Sequence, residues 1–486
     1  MPGLTIREGR PVPRRLRTRR RLGWSLRASP LRPPALLVLG FALLIAAGTG
    51  ALLLPVSSRG GGTTPLTALF TATSAVCVTG LVVVDSGTYW SPIGQVVIML
   101  LMEFGGLGFV VGVTALALFR HGRLSIQQRV IIQETGSTAR LGGQGGLVQR
   151  AVTLALLAEA VGALVLWPRF APRFGAGYGL WLAVFHAVSA FTNGSFDLFG
   201  DYRSLADYRA DPVVLLTIAG LIVAGGLSLV AVEDLRRVLG LAPGARLGVL
   251  RAWRPAWRRL SVDTKVILAG TATLLLAGAA IVYLAERRNP ASLAGRPLGE
   301  QLLNALFHSA AARTAGFSTW DFARADERSL FFLTGLMFIG GAPGSMAGGI
   351  KLTTAGVLAA AVWSTLRGRP EPTLFERQVL PRQVGQALAV AALAFALVVN
   401  VALAISLIEG SRLTAPFLHL VFEVTSAFGT VGFSAGLAPQ LSAPSKLLLA
   451  LTMFVGRLGP VTVALALTAP RHEPSYRLPS ESIRIG

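Results

Sequence analysis

The sequence predicts an all-α polytopic membrane protein built from four helix–pore loop–helix units, eight spans in all. Three observations carry this. Of 486 residues, 52% are hydrophobic and only 14% are charged, with a mean hydropathy of +0.61; a soluble chain carries about 25% charged residues. Apolar runs of bilayer-spanning length, about 20 residues, recur along the chain. And one short stretch centred on glycine returns four times at near-constant spacing.

The apolar runs cover 35–54, 96–119, 213–232, 266–284, 388–408 and 447–467. The first is too long for the apolar region of a signal peptide. Cys77 is the single cysteine, so no intrachain disulfide forms. Net charge is +22, and its placement matters more than its size. Ten arginines lie in 1–33, and more fall in 120–150, 235–260 and 367–382. The alternate connections hold acids: Asp197, Asp201, Asp207 and Asp211, then Asp321, Asp326 and Glu327. That asymmetry follows the positive-inside rule, with both termini cytoplasmic in a plasma membrane. It argues against nucleic acid as the partner of the basic arm and for anionic lipid.

The four similar stretches are TSAVCVTGLVVVD (73–85), VSAFTNGSFDLFG (188–200), AARTAGFSTWD (311–321) and TSAFGTVGFSAGL (425–437). Anchored on Gly80, Gly194, Gly316 and Gly432, they are spaced by 114, 122 and 116 residues. In this register His186 and His308 each stand eight residues before their glycine, and Thr192, Thr314 and Thr430 stand two before, with Val78 in the first copy. Each copy follows a spanning run, a linker and a segment of about 12 apolar residues, too short to span. A second long run follows: 92–119, 212–235, 330–366 and 445–469. The first span of unit two, 151–167, is short and contains Glu159.

The organisation expected is therefore a basic cytoplasmic arm (1–35), pore unit one (36–120), a cytoplasmic loop with unit two (121–235), a loop with unit three (236–366), unit four (367–470) and a cytoplasmic tail (471–486).

A short helix that ends inside a bilayer aims its negative dipole end at the centre. The irregular backbone after it survives only against protein or a water-filled cavity. Four such stretches in a ring would present carbonyl oxygens able to replace the hydration shell of a monovalent cation. Thr79, Asn193, Ala315 and Val431 flank the glycines, and no carboxylate stands among them, so a K⁺-like ion fits better than a divalent one.

The stretch GGAPGSMAGGIKLTT (340–354) reads at first like a phosphate loop. The spacing is wrong, because Ile350 separates Gly349 from Lys351, and the flanks are apolar rather than βαβ. It interrupts the second run of unit three about midway, so the glycines and Pro343 break a span and leave a flexible loop beneath the four stretches. Arg457, in FVGRLGPVT, is an ionisable residue at membrane depth and functional by default. Facing a pore it would set a barrier to cations; the alternative is an arginine snorkelling at a helix end. Lys351 has an open role of the same kind. His186 and His308, with Ser189 and Ser309 near them, are expected to hydrogen-bond within the short-helix layer. Glu103, Glu159 and Glu423 read as buried hydrogen-bonding groups, with a coupling-ion site as the alternative.

SAVCVTGL, SAFTNGSF, ARTAGFST, SAFGTVGFS, GSMAGGIK and GRLGP together resemble the TrkH/KtrB superfamily of potassium transporters over roughly 36–470, with eight spans resembling the KtrB branch. The resemblance implies one K⁺ pathway in a pseudo-fourfold arrangement. It implies a selectivity filter of Val78, Thr79, Gly80, Thr192, Asn193, Gly194, Thr314, Ala315, Gly316, Thr430, Val431 and Gly432. It implies an intramembrane gate at 340–351, in Gly340, Gly341, Gly344, Ser345, Gly348, Gly349 and Lys351, with Arg457 as pore barrier. Some relatives with serine at the first filter glycine favour Na⁺; Gly80 stands here. The resemblance also implies a homodimer seated on a cytoplasmic ring of nucleotide-binding regulatory subunits. No cofactor and no metal beyond transported K⁺ is expected, with Na⁺ as coupling ion left open. Rival readings are Na⁺ or NH₄⁺ permeation on the same scaffold, or an intramembrane enzyme using the histidines and serines.

Overall fold

The computed structural model describes residues 33–121, 144–238 and 257–460; the expected arm, the tail and much of the basic loops lie outside them. The described helices fall into four groups along the chain. The first holds α1 (Pro33–Leu53), α2 (Pro65–Val76), the single turn α3 (Ser86–Tyr89) and α4 (Pro92–His121). The second holds α5 (Gln144–Phe174), α6 (Ala176–Phe191), α7 (Pro212–Gly226) and α8 (Leu229–Val238). The third holds α9 (Val262–Glu286), α10 (Leu298–Ala311), α11 (Glu327–Phe338) and α12 (Leu352–Leu366). A hairpin of β1 (Thr373–Leu374) and β2 (Arg377–Gln378) follows. The fourth group holds α13 (Pro381–Glu409), α14 (Phe417–Gly429) and α15 (Ala443–Leu458).

Among the described residues, four unbroken helices are long and apolar enough to cross a membrane, and they are α1, α5, α9 and α13, one opening each group. Each packs against the short apolar helix that follows it: α2, α6, α10 or α14. Local chemistry sets several helix starts. Thr64 caps α2 by accepting the Thr67 N–H, and Pro65 takes the first helical position. Asp211 caps α7 through the N–H groups of Val213 and Val214, again ahead of a proline.

Two expectations change. The first span of unit two is not short: α5 runs 31 residues, with Pro168 and Pro172 inside it. Proline removes one backbone bond and bends a helix but does not have to end it. The second span of unit two is not one helix: α7 and α8 meet at 98°. The second span of unit three breaks as expected, between α11 and α12. The expected end of the last span, beyond residue 460, lies outside the described residues.

The groups close on one another. Helix α4 packs on α6, α7 on α10, α11 on α14, and α15 on α2. Each group's second helix thus leans on the next group's short helix, and the last group returns to the first.

Candidate functional site

The short helices deliver four irregular stretches to one place. Residues just past each helix adopt positive φ: Val78 (54°) and Gly80 (81°), Asn193 (60°) and Ser195 (62°), Thr314 (77°) and Gly316 (42°), Thr430 (49°) and Gly432 (94°). Such corners turn the carbonyls alternately and are costly for residues with a Cβ. The stretches touch in sequence. A Cβ on Gly80 would come within 2.2 Å of Ser195 Cβ, and one on Gly316 within 2.3 Å of the Val431 oxygen. One on Gly432 would lie 2.2 Å from the Thr79 oxygen. Asn193 pairs through its side-chain amide with Thr314 Oγ1 at 3.0 Å. All twelve predicted filter residues therefore lie in four stretches that the structure brings together.

The second stretch enters in a different register from the one its glycine implies. Positive φ falls on the glycine and on the residue two before it in stretches one, three and four. In stretch two it falls on Ser195 and Asn193, not on Gly194 and Thr192. Hydrogen bonds agree. His308 Nδ1 bonds the Asn304 carbonyl at 2.9 Å, and its Nε2 accepts the N–H of Thr319, three residues past Gly316. His186 bonds the Leu182 carbonyl at 2.7 Å and accepts from the N–H of Leu198, three past Ser195. In stretch four the carboxylate of Glu423 takes this role, accepting from the N–H of Ala435, three past Gly432, at 3.0 Å. Ser195 is the counterpart of Gly80, Gly316 and Gly432. The signal was present: Phe196 aligns with Phe317, Phe433 and Leu81 once the glycine is not used as anchor.

These contacts assign the histidines and Glu423. Each pins the returning strand of its stretch to its own short helix, as expected of groups bonding within that layer. His186 also stacks on Phe199 and His308 on Trp320. No group of three or more metal-binding side chains occurs among the described residues.

The loop 340–351 sits against the same stretches. Its neck is closed by the Gly340 N–H to the Ile350 carbonyl at 2.9 Å and the Ile350 N–H to the Phe338 carbonyl at 3.3 Å. Inside it, Ser345 Oγ donates to the Ala342 carbonyl and Lys351 Nζ to the Ala347 carbonyl, both at 2.7 Å. A Cβ on Gly348 would stand 2.1 Å from Thr430 Oγ1. The break between α7 and α8 now has a reason: the freed carbonyls of Gly225 and Gly226 accept the N–H groups of Met346 and Ala342, each at 3.1 Å. Gly341, Gly344 and Gly349 complete the turns, the last two with φ of 68° and 65°.

Arg457 is 7% exposed and does not point freely into a channel. Its guanidinium donates to the Met346 carbonyl in the loop and to the Gly105 carbonyl of α4 at 2.9 Å. Sequence reasoning named Gly340, Gly341 and Arg457 but missed that Gly105–Gly106, Gly225–Gly226, Gly340–Gly341 and Gly456–Arg457 recur as GGLG, GGLS, GGAP and GRLG. Arg457 stands where the other three groups carry glycine, Gly106, Gly226 and Gly341. The first glycine of three pairs lets its helix touch the end of its own short helix: a Cβ would lie 2.0 Å from the Val76 oxygen at Gly105, 1.8 Å from that of Phe191 at Gly225 and 1.9 Å from that of Phe428 at Gly456.

Glu103 and Glu159 face each other across α4 and α5. Both oxygens of Glu103 and one of Glu159 are buried with no other partner.

Comparison with known proteins identifies the family. The chain is 37% identical to Ktr system potassium uptake protein B of Vibrio alginolyticus over 455 residues, 93% of this chain and 95% of that protein. It is 35% identical to the potassium/sodium uptake protein NtpJ of Enterococcus hirae over 459 residues, 94% of this chain and 98% of that one. The crystal structure of the potassium transporter TrkH from Vibrio parahaemolyticus superposes with a TM-score of 0.69 at 20% identity, covering 92% of this chain and 87% of that one. The TrkH family, described as cation transport protein, matches residues 44–474. The expectation of a membrane transport protein rather than an enzyme holds, and the chain belongs to the TrkH family of cation transport proteins.

Proposed function

We propose that this chain is the ion-translocating subunit of a K⁺ uptake system of Trk/Ktr type. One observation carries the reading: four left-handed backbone corners, one per repeat, meet in contact beyond four short apolar helices. Carbonyls from Val78–Gly80, Asn193–Ser195, Thr314–Gly316 and Thr430–Gly432 then form the selectivity filter, in the register described above. The eight spans form four units in pseudo-fourfold order, an assignment supported by the cyclic contacts of second helices with short helices. The units keep the expected bounds, 36–120, 121–235, 236–366 and 367–470, and both termini are cytoplasmic by the arginine distribution.

The loop 340–351 is the gate, since it rests against Thr430 below the filter and is tied to the α7–α8 break. Arg457 acts as a latch with a charge: it binds the loop to α4 and places a cation at the pathway. The similar Ktr-system protein supports a partner subunit belonging to the same system; the homodimer and the cytoplasmic ring of nucleotide-binding regulatory subunits rest on the sequence resemblance. Na⁺ enters as coupling ion or as a second permeant ion, and the name of the Enterococcus relative favours keeping it in view.

The test is ⁸⁶Rb⁺ uptake into proteoliposomes, with K⁺ and NH₄⁺ as competitors, beside Gly80→Ser. Uptake competed by K⁺ and lost or sharply reduced in the variant supports the filter. Folded protein without K⁺-competed uptake, alone and with regulatory ring added, removes the reading.

A further inference from the structure

Glu103 and Glu159 have no part in the filter, the loop or the latch, yet both lie well inside the bilayer. Glu159 stands at the centre of the 31-residue α5 and is 6% exposed. Glu103 lies eleven residues into α4, about 17 Å from its start. Their carboxyls face each other, and both oxygens of Glu103 and Oε1 of Glu159 are buried without a donor from any described group.

The elements packed around the pair bring no charge to offset it. Helices α1, α2 and α7 carry no titratable side chain, and Cys77, just past α2, is a buried thiol. On α6, Tyr178 lies against Phe174, and His186 is taken up by the Leu182 carbonyl and the Leu198 N–H. The arginines of α5 pair elsewhere: Arg150 with Glu233, Arg169 with Asp211 and Arg173 with Asp207. Arg457 meets α4 at the Gly105 carbonyl, not at the carboxyl. Burial and mutual repulsion both oppose ionising two facing carboxyls. A protonated carboxyl, however, is a donor, and its neighbour is an acceptor. One proton thus satisfies oxygens that nothing else on the page satisfies, and paired acids at membrane depth mark proton sites.

We propose that Glu103 and Glu159 form an intramembrane proton-binding site, in which one shared proton ties α4 to α5 and keeps the Gly105 carbonyl, two residues along α4, where Arg457 latches the loop. Release of that proton to water leaves two facing carboxylates, whose repulsion parts the helices and loosens the latch. Basal flux therefore rises with pH. The link to flux rests on reading the loop as the gate.

Wild type is compared with Glu103→Gln/Glu159→Gln, which keeps the shapes and removes the titration. The first readout is reversible unfolding of the purified full chain in mixed detergent from about pH 5 to 8, above the ordinary glutamate range. The folded pair holds a proton that the unfolded chain has released, so stability falls as pH rises. The folded-to-unfolded ratio of wild type should drop by about tenfold per pH unit relative to the double variant. Should the double variant not fold, either single Gln variant replaces it, with a smaller difference in slope from wild type. The second readout is ⁸⁶Rb⁺ leak from proteoliposomes with the pH of both faces raised together. Leak should climb by about tenfold in wild type and stay flat in the double variant. Equal stability slopes in wild type and variant overturn the proton site. Different slopes with a leak indifferent to pH overturn its link to Arg457. Absence of K⁺-competed uptake from every protein at every pH fails the transport reading instead, and the unfolding slopes still decide the proton site.

Discussion

Arg457 Nη2 donates to the Gly105 carbonyl at 2.9 Å, joining the last described helix to the second helix of the first group. The same guanidinium holds the Met346 carbonyl of the loop. One side chain therefore fixes the loop against both ends of the ring. Hydrogen bonds from charged groups contribute about 1.5–3 kcal/mol each. Arg457→Ala should release the loop and raise basal ⁸⁶Rb⁺ leak by about tenfold or more, while Arg457→Lys, with one compact head, restores part of the block. Folded Arg457→Ala with an unaltered leak would show that the latch does not hold the pathway shut.

Gly225→Ala should prevent correct folding, because its Cβ would meet the Phe191 oxygen at 1.8 Å. Gly220→Ala, one turn earlier on α7 with nothing within 4 Å, is the matched control. A loss above about 4 kcal/mol is expected for the first and less than about 0.5 for the second. Thermal melting in detergent, with elution profile, reads the difference; equal behaviour refutes the close approach.

His308→Ala leaves the Thr319 N–H and the Asn304 carbonyl without their imidazole partner and opens a gap beneath Trp320. A buried donor left unpaired costs about 1–3 kcal/mol, so the melting point should fall measurably. Glu423→Ala should behave alike through the Ala435 and Ala438 N–H groups. If either variant is as stable as the parent, the pins do not hold the stretches.

Glu103 and Glu159 present carboxyls to each other with no counter-charge in hydrogen-bond contact. Glu159→Gln supplies an amide donor to Glu103 and should raise stability by about 1 kcal/mol. A clear loss of stability would mean that both carboxyls are needed there, as a cation holder would require.

Much of the fold was legible because bilayer-spanning length and repeat spacing are coarse signals. The interruption near Gly340 was visible for the same reason: five glycines and a proline crowded into one part of a span have few other uses. Three features were not read. Ser195 was passed over because glycine is the strongest punctuation in a repeat, and Gly194 offered one a single residue away. The length of α5 was hidden because Pro168 looks like a stop, yet a helix held by neighbours tolerates it. The break at Gly225–Gly226 depends on carbonyls being taken up by Met346 and Ala342. Those partners lie more than a hundred residues onward, beyond any local pattern.

The return of α15 onto α2 has a consequence for assembly. During synthesis α2 is among the first helices to emerge, and its closing partner is the last described helix to be made. The first stretch must wait, with its carbonyls unsettled, while some 370 residues follow. Contacts between such distant parts of a chain form slowly. A ring of this kind has no intermediate stage at which three quarters of it is finished: a chain stopped before α15 leaves its earliest-made quarter open as well as its latest. Truncation or a stalled ribosome near Ala443 should therefore leave not a smaller pore but an exposed polar cleft in the bilayer, a target for membrane quality control.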